Sequence, residues 1–170
     1  ELLDQLREDL SDAVTSLRRT IGALRPLVLD QCGLVTAVHD LAHATRSRAA
    51  LADCSVSDRL GDERLDPDAE TALFRVAQQA LANIEQHAAA RHVRIVLERS
   101  GPAVSLRVQD DGRGFDPAEV EVLAGHQGFG LTSMRERVQA LGGQLAIDTG
   151  RGGTCIHAWV PATPGLARPR

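Results

Sequence analysis

The sequence predicts an α+β fold, a two-layer sandwich with helices on one face of a mixed β-sheet. Two observations support this prediction. Four segments in the second half of the chain alternate apolar and polar residues as half-buried strands do, and glycine turns join them into two hairpins. Segments with the apolar period of helices lie before the first hairpin and between the two. Aromatic residues make up only 2% of the chain, so we expect an aliphatic core.

Residues 1–25 are predicted to form a helix with a heptad repeat. Pro26 ends this helix, because a proline disfavours the helical conformation of the residue before it. Either the helix packs on its own domain as an amphipathic helix, or it belongs to a dimerising bundle. The leucines that recur every seven positions are Leu3, Leu10, Leu17 and Leu24.

A helix over residues 33–47, a short strand over 52–58 and a long helix are predicted next. Asp66 can cap the long helix, and Pro67 suits its first turn. The apolar stripe of this helix, predicted to be buried, consists of Leu73, Val76, Ala77, Ala80 and Ile84.

The two hairpins are predicted over residues 92–111 and 143–161. The first one turns at Ser-Gly-Pro, residues 100–102. A helix over residues 130–141 separates the hairpins and ends at two glycines, which commonly terminate helices.

The composition argues against several classes of function. The net charge of -4 gives no basic footprint for nucleic acid. Cys32, Cys54 and Cys155 are odd in number and far apart, which predicts neither a disulfide framework nor a zinc site and favours a reducing, cytoplasmic setting. The sequence has no signal peptide and no apolar run of about 18 residues, the length of a membrane span. The chain starts within a helical pattern without a methionine, so we expect a longer parent that is either cytoplasmic or membrane-anchored.

Three polar side chains on the long helix form the first candidate site. Gln79, Asn83 and His87 follow each other at intervals of four residues, which stacks them along one side of the helix. Asn83 lies at the margin of the apolar stripe, where an amide can reach a site between the helix and a loop. The alternative is an ordinary solvated flank of the helix.

The segment DDGRGF, residues 110–115, is the second candidate. Asp110 ends a predicted strand, and Gly112 and Gly114 permit positive φ and a close approach of backbone. These carboxylates would repel phosphate, but a carboxylate accepts hydrogen bonds from N–H donors such as the amino group of a purine. Asp111 is expected to line only the edge of such a pocket. A polar surface turn is the alternative, whereas the spacing of a calcium loop is absent.

The third candidate is GHQGFGLTSMRER, residues 125–137, in which glycines precede a helix with Thr132 and Ser133 in its first turn. Free backbone N–H groups and the helix dipole predict a phosphate cradle at this position. The segment is no Walker motif, since no GK[ST] follows. The run from Phe115 to Gln127 lies between the carboxylate and this cradle and is predicted to close as a lid.

Taken together, these segments resemble the N, G1 and G2 boxes and the last strand of a histidine kinase catalytic domain, the Bergerat ATP-binding fold that gyrase B also has. In chain order they are ALANIEQHA, DDGRGF, GFGLTSMRERVQALGG and the GGT before the last strand. Upstream, LRPLVLDQCGLVTAVHDLAH resembles the linker and first helix of NarL/DesK-type sensor kinases. On this resemblance, residues 1–27 are the last dimerisation helix with its linker, 28–163 the ATP-binding catalytic domain and 164–170 a disordered tail.

The resemblance implies a reaction. The γ-phosphoryl group of ATP passes to a histidine upstream of Glu1, and then to an aspartate of a response regulator of the LuxR/NarL type. The kinase forms a homodimer through its dimerisation helices. Asp110 accepts from the adenine amino group and Asn83 holds Mg²⁺, while catalysis is mostly positioning and charge neutralisation. The implied ATP-binding residues are Asn83, His87, Asp110, Gly112, Gly114, Phe115, Gly128, Gly130, Leu131, Thr132 and Thr154.

Two positions depart from the pattern of the family. Gln79 occupies the catalytic position that usually holds glutamate or histidine, and an amide cannot act as a general base. Gln86 occupies a position where lysine is common. These departures keep a second hypothesis open, a nucleotide-binding interaction module of the same fold such as an anti-sigma factor or an inactive kinase-like switch. The pair His39-Asp40 resembles the acceptor pair of the family but follows the linker, so we interpret both as ordinary helix residues.

Overall fold

A computed structural model describes residues 26–61, 65–115 and 129–162. The predicted heptad helix, the predicted lid beyond Phe115 and the predicted tail therefore fall outside the described residues. Three α-helices, one π-helical turn and five strands are described. In chain order they are α1 (Leu27–Arg48), β1 (Asp53–Arg59), α2 (Pro67–Asn83), the π-turn (Ile84–Ala88), β2 (His92–Ser100), β3 (Ala103–Asp110), α3 (Phe129–Ala140), β4 (Gln144–Gly150) and β5 (Gly153–Pro161).

The five strands form one mixed sheet in the order β1-β2-β3-β5-β4. β1 pairs with β2 in parallel, and the other three pairs are antiparallel. Both predicted hairpins and the predicted mixed sheet are confirmed. Because β5 lies between β3 and β4, the turn of the second hairpin comes to the same end of the sheet as Asp110, where β3 ends.

One face of the sheet carries the core. Successive side chains of a strand point to opposite faces, so Ile95, Leu106 and Ala158 face the helices and are fully buried. The other face carries polar and charged side chains such as Arg94 and Arg107, which are exposed. The buried hydrophobic residues are aliphatic apart from Phe74 and Met134, as the composition predicts.

Helix α2 is the central helix, and its start is set by a side-chain cap. The Asp66 carboxylate accepts hydrogen bonds from the backbone N–H of Asp68 at 2.9 Å and of Ala69 at 3.3 Å. Pro67 occupies the first turn, where its missing N–H costs nothing. All five residues of the predicted stripe are buried; four lie on α2, and Ile84 is the first residue of the π-turn.

Helix α1 differs from the prediction at its start. It begins at Leu27 rather than at residue 33, and a break at Gly33, with φ 75° and ψ 174°, divides it into two segments. Leu29, in the first segment, is fully buried, so contact with the core explains why the helix extends upstream of the glycine. Among the described residues, no helix is both long enough and apolar enough to cross a membrane.

Replacing Asp66 by alanine should lower the free energy of unfolding by about 1 kcal/mol, because two N–H groups of α2 lose their acceptor. Urea unfolding followed by circular dichroism measures the change. Asp68→Ala is the control, since it removes a charge from the same turn and leaves both cap bonds in place. Equal losses in the two variants would contradict the capping role of Asp66.

Candidate functional site

The loop Asp110–Phe115 is packed between two neighbouring backbones. A Cβ at Gly112 would clash with the carbonyl oxygen of Ala88, the last residue of the π-turn. A Cβ at Gly114, whose φ is 62°, would clash with the carbonyl oxygen of Gly150 at the end of β4. Only glycine fits at these two positions, so the loop joins the end of α2 to the second hairpin.

Asp110 places a carboxylate at the buried end of this loop. Its side chain points to the helical layer and is 5% exposed. Its Oδ1 accepts a hydrogen bond from the backbone N–H of Gly112 at 2.8 Å. Burial raises the pKa of Asp110, and the backbone N–H groups of Gly112 and Thr154 partly offset this effect. The carboxylate keeps lone pairs for a further donor, as its predicted role requires.

Asp111 is exposed and makes hydrogen-bonding contacts that the sequence did not predict. Its Oδ1 accepts from the backbone N–H groups of Arg91 and His92, both at 2.8 Å. Its Oδ2 lies 2.7 Å from Nδ1 of His92. The bonds from His92 and Arg91 hold the pKa of Asp111 well below its usual range. Asp111 thus ties the loop to the start of β2.

Two side chains that hold this loop, those of Arg113 and Thr149, were not predicted from the sequence. Arg113 donates from Nε to the carbonyl oxygen of His87 at 2.6 Å, and its backbone N–H donates to that of Ala88 at 2.9 Å. The hydroxyl of Thr149 accepts from the backbone N–H of Phe115 at 3.1 Å. It also lies 3.1 Å from the hydroxyl of Thr154, its cross-strand partner. No local sequence signal connects these residues, because the pairs are 26 and 34 positions apart.

Gln79 and Asn83 form a hydrogen-bonded pair at the end of α2. The amide nitrogen of Gln79 donates to Oδ1 of Asn83 at 3.0 Å, and both side chains are half-buried. Gly130, in the first turn of α3, lies against the Gln79 amide, because a Cβ there would be 2.8 Å from Nε2. The pair therefore marks the point where α2 meets the start of α3.

The remaining predicted residues differ in how far they are buried. Leu131 is half-buried and Thr132 exposed in the first turns of α3, while the side chain of His87 is exposed. Gly128 lies outside the described residues. The structure thus brings the Asp110 loop, the end of α2 and the second hairpin into contact, with α3 joined to them through Gln79.

A cavity of about 250 Å³ opens at the end of the sheet beside Asp110 and Thr154. Several of its lining residues, among them Gln109 and Cys155, belong to the outer face of the sheet. The cavity therefore lies on the hairpin side of the site. We place the candidate ligand site on the helical side, because Asp110 and Asn83 both lie there.

Asn83 is the residue with the right chemistry for Mg²⁺, which prefers oxygen ligands. Among the described residues, no group of three His, Cys, Asp or Glu side chains could hold a metal. A single amide oxygen fits an ion that keeps several waters and is otherwise bound by phosphates.

Comparisons with known proteins decide the family. Residues 68–164, more than half of the chain, match the family described as histidine kinase-, DNA gyrase B-, and HSP90-like ATPase. The chain belongs to this family. ATP is therefore the nucleotide of the domain, and the resemblance inferred from the motifs is confirmed.

The relatives are sensor kinases. The chain is 36% identical over 157 residues to the signal transduction histidine-protein kinase/phosphatase UhpB of Salmonella typhimurium, covering 92% of this chain and 29% of that protein. It is 33% identical over 159 residues to the sensor histidine kinase MctS of Rhizobium johnstonii, covering 94% and 34%. The chain thus spans about a third of the length of these relatives.

The fold agrees with solved structures. Histidine kinase AdeS of Acinetobacter baumannii superposes with a TM-score of 0.63 at 17% identity, covering 95% of this chain and 82% of that one. The predicted two-layer ATPase fold is confirmed.

Replacing Gly112 by alanine should lower the affinity for an ATP analogue, because the added Cβ would displace the loop from Ala88. Gly152→Ala is the matched control, since a Cβ there has open space around it. Isothermal titration calorimetry measures both, and an unchanged affinity in Gly112→Ala would contradict the packing role of this glycine.

Asp110→Asn should abolish binding of the ATP analogue and leave the fold intact, since an amide oxygen can still accept from Gly112. The raised pKa of Asp110 means that its contribution to stability is present below the unfolded pKa and is lost as pH rises through the folded pKa. As the pH rises from the unfolded to the folded pKa of Asp110, the free energy of unfolding of the variant should therefore increase relative to that of the wild type. Calorimetry and thermal unfolding from pH 4 to 8 measure both effects; an unchanged nucleotide affinity would show that Asp110 does not bind the base.

Proposed function

We propose that the chain is the ATP-binding catalytic domain of a NarL/DesK-type sensor histidine kinase. In the parent protein it transfers the γ-phosphoryl group of ATP to a histidine upstream of residue 1, from which the group passes to an aspartate of a response regulator. The observation that supports this most strongly is the buried Asp110 carboxylate, held by a loop that only glycine permits beside the end of α2.

Asp110 recognises the base in this proposal. A buried acceptor pairs with the amino group of adenine, and leaving it without a donor would be costly. The loop glycines Gly112 and Gly114 fix the position of the carboxylate. Thr154 borders the base from the second hairpin, where its hydroxyl contacts Thr149. Phe115 is the last residue of the loop, and its backbone N–H donates to the hydroxyl of Thr149.

The phosphates lie between Asn83 and the start of α3. Asn83 would hold Mg²⁺, which supplies charge neutralisation on the phosphates when bound. The first turn of α3, with Gly130, Leu131 and Thr132, offers backbone N–H groups to the phosphates. Gly128 and His87 complete the proposed set.

Gln79 positions the site rather than accepting a proton. Its amide nitrogen donates to Asn83, and its side chain fills the space beside Gly130. A glutamate at this position could not donate in this way, and it could act as a base. We infer that Gln79 orients Asn83 and leaves proton transfer unassisted.

The partners follow from the same proposal. They are a response regulator of the LuxR/NarL type and a second copy of the kinase, paired through the dimerisation helices. Residues 1–27 would supply the last of these helices, residues 28–163 the catalytic domain and 164–170 a disordered tail. The domain would act in the cytoplasm, with a parent that is cytoplasmic or membrane-anchored.

Gln79→Glu in the full-length parent should raise the rate of histidine phosphorylation at least about tenfold, because general base catalysis becomes available. Labelled ATP with Mg²⁺ in a single-turnover assay measures the rate. Gln78→Glu is the control, since it makes the same change at the exposed neighbouring position.

If the protein is a kinase, the wild type should form acid-labile phosphohistidine from labelled ATP, even if the rate of formation is low. Nucleotide binding without any labelled histidine, in both the wild type and Gln79→Glu, would instead support the alternative of a nucleotide-binding switch.

A further inference from the structure

One ion pair near the site has no part in the ATP-binding set. Arg48, the last residue of α1, contacts Glu85, the second residue of the π-turn, although 37 positions separate them. Nη2 of Arg48 lies 2.6 Å from Oε1 of Glu85, and Nε lies 3.2 and 3.3 Å from the two carboxylate oxygens. Nη2 also lies 3.4 Å from the hydroxyl of Thr45, a fully buried residue. We call Arg48, Glu85 and Thr45 the clamp.

The geometry of the clamp distinguishes it from an ordinary surface ion pair. Isolated exposed pairs contribute little, whereas a two-point arginine–carboxylate contact fixes both distance and orientation. The contrasting case on this chain is Arg59 and Glu98, which approach only to 3.8 Å through one nitrogen, and the Glu98 side chain is 48% exposed whereas that of Glu85 is 23% exposed.

The clamp holds the segment that connects the two halves of the nucleotide site. The π-turn follows Asn83 directly, and its carbonyl groups at His87 and Ala88 accept both hydrogen bonds from Arg113. Any movement of the turn therefore moves the Asp110 loop relative to Asn83. A π-helical winding is rare and needs support from its surroundings.

Support comes to the turn from two sides. Ile84 and Ala88 are buried and hold its inner side against the core. Glu85 lies on the outer side, where the clamp joins it to α1. Core packing alone would still allow the turn to relax toward α-helical winding, because apolar contacts are not directional. Arg113 makes directional contacts with the last two residues of the turn, and Arg48 makes the directional contact with its first half, at Glu85.

We propose that Arg48 and Glu85 are positioning residues for nucleotide binding, which keep the π-turn wound and so hold the Asp110 loop at its distance from Asn83. This inference rests on the proposed function. No residue of the clamp belongs to the proposed ATP-binding set, so the clamp acts through Arg113 and the backbone.

The proposal is tested by reversing the charge of Glu85 and then restoring the ion pair with its two residues exchanged. Glu85→Arg should weaken ADP binding about tenfold, which lies within the range of coupling between residues in contact. Glu85→Gln, which keeps the shape, should weaken it about threefold. The double variant Arg48→Glu/Glu85→Arg should restore the affinity to within about twofold of the wild type. Calorimetry gives the affinities, and thermal unfolding shows that each variant is folded at the assay temperature.

Glu98→Arg and Glu98→Gln are the matched controls and should leave the ADP affinity unchanged. Hydrogen exchange of the Arg113 amide, which donates to Ala88, should speed up in Glu85→Gln and not in Glu98→Gln. A wild-type ADP affinity in Glu85→Gln together with Glu85→Arg, or no recovery in the double variant, would overturn the role of the clamp. Asp110→Asn in the same titrations separates the two ideas, because only failure of the proposed function would leave that variant with wild-type affinity.

Discussion

The site depends on one close approach, the packing of the Asp110–Phe115 loop against Ala88 on one side and Gly150 on the other. Neither contact leaves room for a Cβ, so the loop is in van der Waals contact with the π-turn and with the second hairpin at once. Backbone bonds from Arg113 and Phe115 complete the contact. Everything proposed for ATP recognition follows from it, because it brings a buried carboxylate near the end of α2 without a flexible side chain in between.

Two neighbouring aspartates, Asp110 and Asp111, have opposite environments because of this packing. Asp110 continues the inward alternation of β3 and is buried, so desolvation raises its pKa. Asp111 is the next residue and faces outward, where three hydrogen-bonding contacts with Arg91 and His92 lower its pKa. One carboxylate thereby remains available to a ligand, while the other is used to join β2 and β3. Position along the strand, rather than residue type, separates the two roles.

Much of the fold and part of the site could be predicted from the sequence. Local periodicity predicts the strands, α2 and α3, because burial of an apolar stripe determines them directly. The motifs indicated Asn83, Asp110 and the glycines, since these residue types have few other reasons to occur in that order. Sequence reasoning placed the start of α1 too late, because the burial of Leu29 is a tertiary effect. It missed the π-turn, which has no side-chain period of its own. It also missed Thr149, Arg113 and the clamp, whose partners are distant in the chain and meet only when the strand order is known.

Recognition of the adenine amino group by Asp110 can be tested by comparing the affinities of two purine nucleotides. Adenine presents an amino donor at the ring position where guanine presents a carbonyl acceptor. Calorimetric titration of the chain with ATP and with GTP, at the same Mg²⁺ concentration, gives the two affinities. If Asp110 recognises the amino group, GTP should bind at least about a hundredfold more weakly than ATP, since the buried carboxylate would face an acceptor. Equal affinities for the two nucleotides would contradict it.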